Sequence, residues 1–212
     1  MRCSPICLSL VIGALLVPTT ASGQIPVPSA DVFQPFITTN PAVRASLARI
    51  AERSALWREA VDAIREVGRR AVILTPDQVV VADAAGGPVK DGFDPTVLAE
   101  VAPVPKADSG VDVVLVVVNL SLLTESHRLA QSVPAEFEAD LDRILVHEIY
   151  GHAVPYLVTG QLSGRCPDPM PGERAVDACS IRRENAVRAE LGLGRRTTYG
   201  LDDMNLKRRS RR

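Results

Sequence analysis

The chain has 212 residues, of which 46% are hydrophobic and 23% are charged, and its formal net charge is −1. This composition is typical of a soluble globular protein with one domain, and it gives no general electrostatic reason to bind nucleic acid. Basic residues collect at 207–212, within a segment, 201–212, that we expect to be a disordered basic tail.

Residues 1–23 have the pattern of a signal peptide. Arg2 provides a positive charge near the start, residues 6–17 form an apolar run, and small residues surround a cleavage point near Gly23. The apolar run is short for a helix that spans a bilayer, and an N-terminal membrane anchor is the alternative interpretation. The pattern predicts a secreted or periplasmic protein with no stable membrane insertion after cleavage.

Cleavage at this point would remove two of the four cysteines and leave Cys166 and Cys179. In an oxidising compartment we expect these two residues to form a disulfide bond. Zinc ligation by either thiolate is the less favoured alternative, because their spacing matches no common zinc knuckle.

Helical patterns dominate the first part of the mature chain. An extended lead-in over 24–39 precedes a helix whose start is marked by Asn40, as an N-cap, and by Pro41. A second helix carries Trp57 on its apolar face and ends at Gly68.

β-branched residues characterise the next part. The runs 71–75 and 78–82 are separated by a Pro-Asp turn and predict a β-hairpin. The Gly- and Pro-rich stretch 86–109 predicts a loop with a short helical turn near Leu98. Residues 111–120 form a continuous apolar run, which predicts a strand buried on both faces.

Two further helices are predicted in the C-terminal part. The first opens at Pro134, carries an apolar stripe, and bends or stops at Pro155. The second covers about 173–191 and ends at Gly192. The whole pattern predicts one α+β domain over 40–200, in which a small sheet packs on the first of these helices between N-terminal and C-terminal helices.

The helix that opens at Pro134 contains His147, Glu148 and His152. Two imidazoles and an adjacent carboxylate are the groups with which a helix binds zinc and places a base beside a zinc-bound water. The usual spacing is H-E-x-x-H, whereas here the second histidine comes one residue later. Residues five apart on an α-helix differ by about 140° around its axis, so a regular helix would separate the two rings.

A one-residue π-bulge would absorb the extra residue and return both rings to one face of the helix. Gly151 lies inside the motif and Pro155 follows it, and both residues make such a distortion less costly. The alternative ligand pair, at regular α-helical spacing, is Glu148 with His152, which would leave no carboxylate as the base.

A catalytic zinc ion takes a third protein ligand. The remaining histidine, His127, is expected to be an exposed loop residue, so the third ligand is predicted to be a downstream carboxylate, either Glu173 or Glu184. Asp177 lies one helical turn after Glu173 and would accept a hydrogen bond from a ligand imidazole. The structural alternative for these acidic residues is a solvated helix face.

These residues resemble a known family, the gluzincin metallopeptidases of the thermolysin-like class, with an H-E-x-x-x-H variant of the first motif. The resemblance rests on His147-Glu148 with His152, followed by Glu173-x-x-x-Asp177.

The pattern that follows is similar to that of small secreted bacterial metallopeptidase domains. It consists of Glu184-Asn185-x-x-Arg188 and then Arg196-x-x-Tyr199, and the whole resemblance covers about 111–199.

The resemblance implies a zincin-like α+β fold and a site with named roles. Its zinc ligands would be His147, His152 and Glu173. Glu148 would be the general base, and Asp177 would support a ligand histidine. Candidates for stabilising a developing oxyanion are Tyr150, Tyr156 and Tyr199, none of which the sequence favours.

The function implied is that of a secreted zinc-dependent peptidase whose substrate is a peptide or a protein. One alternative is a catalytically silent zinc-binding or protein-interaction domain on the same scaffold. A second alternative is a structural protein of the cell envelope that holds no metal. The sequence does not indicate an oligomeric state.

Overall fold

The computed structural model describes residues 35–79, 81–82, 88–89, 96–105, 110–160 and 179–197. Several predictions fall on other parts of the chain and lie outside the described residues. They concern the signal peptide, the basic tail, Cys166, Glu173, Asp177 and Tyr199.

The described elements are short strands and helices, with the strands mostly in the middle of the chain. The strands are β1 (Phe36–Ile37), β2 (Arg70–Leu74), β3 (Val81–Ala82), β4 (Pro88–Val89), β5 (Ala99–Pro105) and β6 (Val111–Val118). The α-helices are α1 (Pro41–Arg53), α2 (Ala55–Val67), α3 (Leu120–Leu129), α4 (Pro134–Leu145), α5 (Val154–Thr159) and α6 (Ser180–Leu191). A π-helix, Val146–Ala153, joins α4 directly to α5.

Four strands form a small mixed sheet in the order β1-β2-β6-β5. The apolar strand β6 lies between β2, to which it is parallel, and β5, to which it is antiparallel. In this register Val116 lies opposite both Ile73 and Val101. Five consecutive residues of β6, 114–118, are buried, so the prediction of a strand covered on both faces is confirmed.

Two predictions about the preceding segment are wrong. The hairpin does not form, because both edges of β2 pair in parallel with β1 and β6, and the chain after it turns through a 3₁₀ segment, Pro76–Gln78. β3 pairs instead with β4, which starts inside the predicted loop. The later part of that loop is the edge strand β5, whose pairing with β6 depends on tertiary contacts and not on its Pro-containing local pattern.

The two N-terminal helices agree with the predictions. The Asn40 side chain accepts hydrogen bonds from the amides of Ala42 and Val43, which supports the start of α1. Gly68 ends α2 in the left-handed conformation, at φ 69°. Trp57 is buried in the core, where its ring lies 5.4 Å from Phe36 between centroids.

The last helix is shorter than predicted. Cys179 has a φ of 73°, a left-handed conformation that a continuous α-helix does not contain, and α6 begins at Ser180. Glu184 is therefore on α6, and the predicted single helix over 173–191 is wrong.

These elements make an α+β fold with a small mixed sheet, as the sequence predicts. Helix α1 packs on α4, α2 packs on α5, and α6 packs on the π-helix, which leaves the histidine motif between the sheet and α6. Within the described segments, every helix is too short or too polar to cross a membrane.

Candidate metal centre

The histidine motif lies entirely within the π-helix. The eight residues Val146–Ala153 follow α4 without a break and continue into α5. Hydrogen bonds in a π-helix join residues five apart, so residues at this separation lie on nearly the same face. The predicted π-bulge is therefore confirmed, and the extra residue of the motif no longer separates the two histidines.

The rings of His147 and His152 approach each other at their Nε2 atoms. Their Nε2 atoms lie 3.2 Å apart, and the ring planes are nearly perpendicular, at 89°. Both side chains are buried, with 8% and 9% of their surface exposed. The structure thus brings His147 and His152 together at their Nε2 atoms, as the first of the two predicted ligand pairs requires.

The carboxylate of Glu184 contacts the opposite edge of the His147 ring. Its Oε2 atom is the hydrogen-bond partner of His147 Nδ1, and the side chain of Glu184 is fully buried. Because a carboxylate accepts, the Nδ1–H of the ring donates, and the lone pair of the neutral ring is then on Nε2, facing His152. Glu184 is thus placed to orient the ring of His147, the kind of role that the resemblance assigns to Asp177.

Two buried arginines surround Glu184. Arg188, one turn later on α6, donates from Nη1 to Glu184 Oε1 at 3.0 Å. Arg196, from the segment after α6, lies with Nη1 at 3.3 Å from Glu184 Oε2 and at 3.0 Å from Nδ1 of His147. The single carboxylate therefore accepts from two guanidinium groups and one imidazole.

Helix α6 is also joined directly to the backbone of the π-helix. Arg183 donates two hydrogen bonds, from Nε at 2.8 Å and from Nη2 at 2.6 Å, to the carbonyl oxygen of Gly151. At Gly151 the two helices approach so closely that a Cβ atom would lie 3.3 Å from the carbonyl oxygen of Ser180. Glycine at this position thus allows α6 to bring Glu184 within reach of His147.

Glu148 follows His147 on the π-helix and is buried, with 9% of its surface exposed. Burial raises the pKa of its carboxyl group above the ordinary range, the charges of His147 and Arg196 oppose this shift, and Glu184 and Glu100 reinforce it. A carboxylate whose pKa is raised is a better proton acceptor, as a general base requires.

Comparisons with family models, with curated proteins and with solved structures found no match for this chain. The resemblance to gluzincin peptidases therefore rests on the residues of the sequence alone.

The described part of the chain also includes two of the candidate tyrosines and one of the two cysteines predicted to form a disulfide. Tyr150 stacks on Trp57, with ring centroids 6.4 Å apart, which directs it toward α2. Tyr156 is partly buried against the core. Cys179 is disulfide-bonded, but its pairing with Cys166 stays a prediction because Cys166 lies outside the described residues.

The prediction for His127 is wrong. It lies on α3 and is buried, with its Nε2 atom 3.3 Å from Asp140 Oδ2 and its ring edge-on to Phe137, both on α4. The packing of α3 on α4 covers it, and a local sequence pattern does not reveal that contact.

Sequence reasoning did not assign roles to Arg188 and Arg196. A signal was present in α6, where Glu184 and Arg188 share a helical face with buried Ile181 and Leu191. Charged residues at apolar positions of a helix indicate a buried ion pair. Arg196 carries no comparable signal, because it follows the helix in an irregular segment.

Proposed function

We propose that this protein is a zinc-dependent peptidase with a zincin-like fold, in which His147 and His152 bind the metal. The observation that carries the proposal is the 3.2 Å separation of the two Nε2 atoms on a π-helix. Two nitrogens, each about 2.0–2.1 Å from a tetrahedral zinc ion, are about 3.3–3.4 Å apart. The two side chains thus fit zinc without a large rearrangement.

The remaining ligand is proposed to be Glu173. Among the described residues no group of three histidine, cysteine or acidic side chains is placed to hold a metal ion, and Glu184 is engaged by His147 and two arginines. The sequence candidate that remains is Glu173, which precedes α6. Asp177 is proposed to support the second histidine, as Glu184 supports the first.

Each residue of the site has a distinct proposed task. His147 and His152 present their Nε2 lone pairs, and Glu184 keeps the proton of His147 on Nδ1. Glu148 accepts a proton from the attacking water and donates it to the leaving amine, while its buried position excludes bulk solvent. When bound, zinc would supply a water of lowered pKa and polarise the scissile carbonyl.

The position of β5 supports an extended peptide as the substrate. Within the described sheet β5 pairs on one side, with β6, and forms an edge. Glu100 of β5 is close enough to Glu148 to contribute to its raised pKa, so this edge passes beside the proposed base. An extended peptide binds such an edge through backbone hydrogen bonds.

The test uses purified protein from which residues 1–23 have been removed. We expect about one zinc ion per chain and cleavage of an unstructured protein such as casein. Glu148→Gln should abolish cleavage and retain zinc, because the amide cannot accept the proton. Zinc binding without cleavage by the wild type would favour the silent zinc-binding domain, whereas no zinc binding would remove the metal proposal altogether.

A further inference from the structure

We propose that Arg196 is a positioning residue, which fixes the orientation of His147 through Glu184. This inference rests on the proposed zinc site. It concerns a residue that lies outside the histidine motif and on the Nδ1 side of the ring, away from the converging Nε2 atoms.

Arg196 contacts both the His147 ring and the carboxylate that binds it. Arg196 Nη1 lies 3.0 Å from His147 Nδ1 and 3.3 Å from Glu184 Oε2. A guanidinium group has donors and no acceptors, so it does not accept the proton of Nδ1. Glu184 Oε2 is the acceptor for both groups, so the tautomer with the lone pair on Nε2 depends on Glu184, and Arg196 acts on the ring by holding that carboxylate in place.

Hydrogen bonds from α6 hold the backbone of Arg196 in place. Asn185 binds both backbone polar groups of Arg196: its side-chain nitrogen donates to the carbonyl oxygen at 2.7 Å, and its side-chain oxygen accepts from the amide at 2.8 Å. Arg188 Nε donates to the carbonyl oxygen of Gly194 at 2.7 Å. Two residues of α6 thus hold the irregular segment that follows the helix. In this segment Arg195 and Thr197 are exposed, whereas Arg196 is buried.

The two guanidinium groups also supply positive charge and donors to Glu184. The carboxyl group of Glu184 is fully buried, and an imidazole donor alone leaves much of its acceptor capacity without a partner. Arg188 occupies Oε1, and Arg196 shares Oε2 with the ring. With both oxygens occupied by fixed donors, the carboxylate has one orientation, and so has the imidazole that donates to it.

Arg196→Gln tests this role, with Arg195→Gln as the matched control, because the two residues are adjacent and Arg195 is exposed. Zinc affinity would be measured by competition with a chromophoric chelator, and ligand geometry by the visible absorption spectrum of the cobalt-substituted protein. We expect Arg196→Gln to weaken zinc binding about 10–100-fold and to change the cobalt spectrum, and Arg195→Gln to change neither.

A second readout needs no metal. In the metal-free protein, ¹⁵N chemical shifts of the His147 ring report its tautomer, and we expect Arg196→Gln to mix the two tautomers. Asn185→Ala should produce the same effects in weaker form, because Arg196 is present but no longer held.

The inference is overturned if Arg196→Gln keeps the wild-type zinc affinity, cobalt spectrum and tautomer. It is also overturned if affinity falls only in line with thermal stability while the spectrum and tautomer are unchanged, since that result indicates a purely structural residue. In both cases the wild type still binds zinc, so the proposed zinc site stands; failure of the wild type to bind zinc removes both proposals.

Discussion

The imidazole rings of His147 and His152 meet through their Nε2 atoms at 3.2 Å, although the two residues are five positions apart on one helical rod. The same separation suits an N–H···N hydrogen bond between the rings and the edge of a tetrahedral zinc site. A bound metal ion would thus take the place of the proton between the rings without a movement of the π-helix.

His147→Ala and His152→Ala should each remove tight zinc binding and leave the chain folded. Zinc at a thousand times its dissociation constant stabilises a protein by about 4 kcal/mol, so the wild type should melt at a higher temperature with zinc than with a chelator. Both variants should lose that difference in a thermal melt followed by circular dichroism.

His127→Ala is the contrasting histidine variant. His127 is buried against Asp140 and Phe137, so its removal should lower the melting temperature but preserve the zinc-dependent increase. Loss of zinc binding in this variant would contradict the assignment of the site to the π-helix.

Glu184→Gln should weaken zinc binding by about 10–100-fold, because the amide is a poorer acceptor for the Nδ1–H of His147. It should also destabilise the protein, since two buried guanidinium groups lose their counter-charge. The measurements are chelator competition and urea denaturation.

Glu190→Gln, on the same helix, is the control for Glu184→Gln. Glu190 accepts hydrogen bonds from Ser54 Oγ and from the amide of Leu56, at the start of α2. Its substitution should reduce stability slightly and leave zinc affinity unchanged. Equal zinc affinity in both variants would show that Glu184 does not orient His147.

Gly151→Ala should lower both stability and zinc affinity. The added Cβ would lie 3.3 Å from Ser180 O and 3.4 Å from Ser180 Cβ, so α6 must move away by a few tenths of an ångström and Glu184 must move with it. Gly194→Ala is the control, because a Cβ at Gly194 has no neighbour within 4 Å. In thermal melts and zinc titrations, Gly151→Ala should therefore melt at a lower temperature and bind zinc more weakly than Gly194→Ala.

Glu148→Gln should stabilise the metal-free protein at neutral pH. The pKa of Glu148 is raised in the folded state, chiefly by burial, so the folded state disfavours the ionised carboxylate. Stability is therefore lost as the pH rises from the ordinary carboxyl pKa of about 4.3 through the raised value. In urea denaturation with a chelator present, Glu148→Gln should have a larger free energy of unfolding than the wild type at pH 8 and the same free energy of unfolding at pH 4. Equal stability of the two proteins at both pH values would contradict a raised pKa.

The sequence predicted the features that depend on local structure. Asn40 and Gly68 mark helix ends through their own backbone and side-chain chemistry, and the apolar run of β6 marks a buried strand. The π-helix was also predictable, since two histidines five apart share a face only if the helix widens between them.

Features that depend on distant partners were not predictable in this way. β2 joins its neighbours through parallel pairings that span long stretches of chain, whereas its sequence resembles the first arm of a hairpin. Glu184 was recognised as a candidate acid, but only the packing of α6 shows that it meets Nδ1 of His147. Arg196 depends in turn on the hydrogen bonds of Asn185.

The π-helix also has a consequence for the hydrophobic core. One residue inserted into an α-helix turns everything after it by about 100° around the axis, which would carry the apolar side chains of α5 away from the core. Because the widened turn absorbs the insertion, Leu145 before it and Leu157 after it are both fully buried. The chain can therefore lengthen its histidine motif by one residue and keep the same inward-facing side chains on both sides of it.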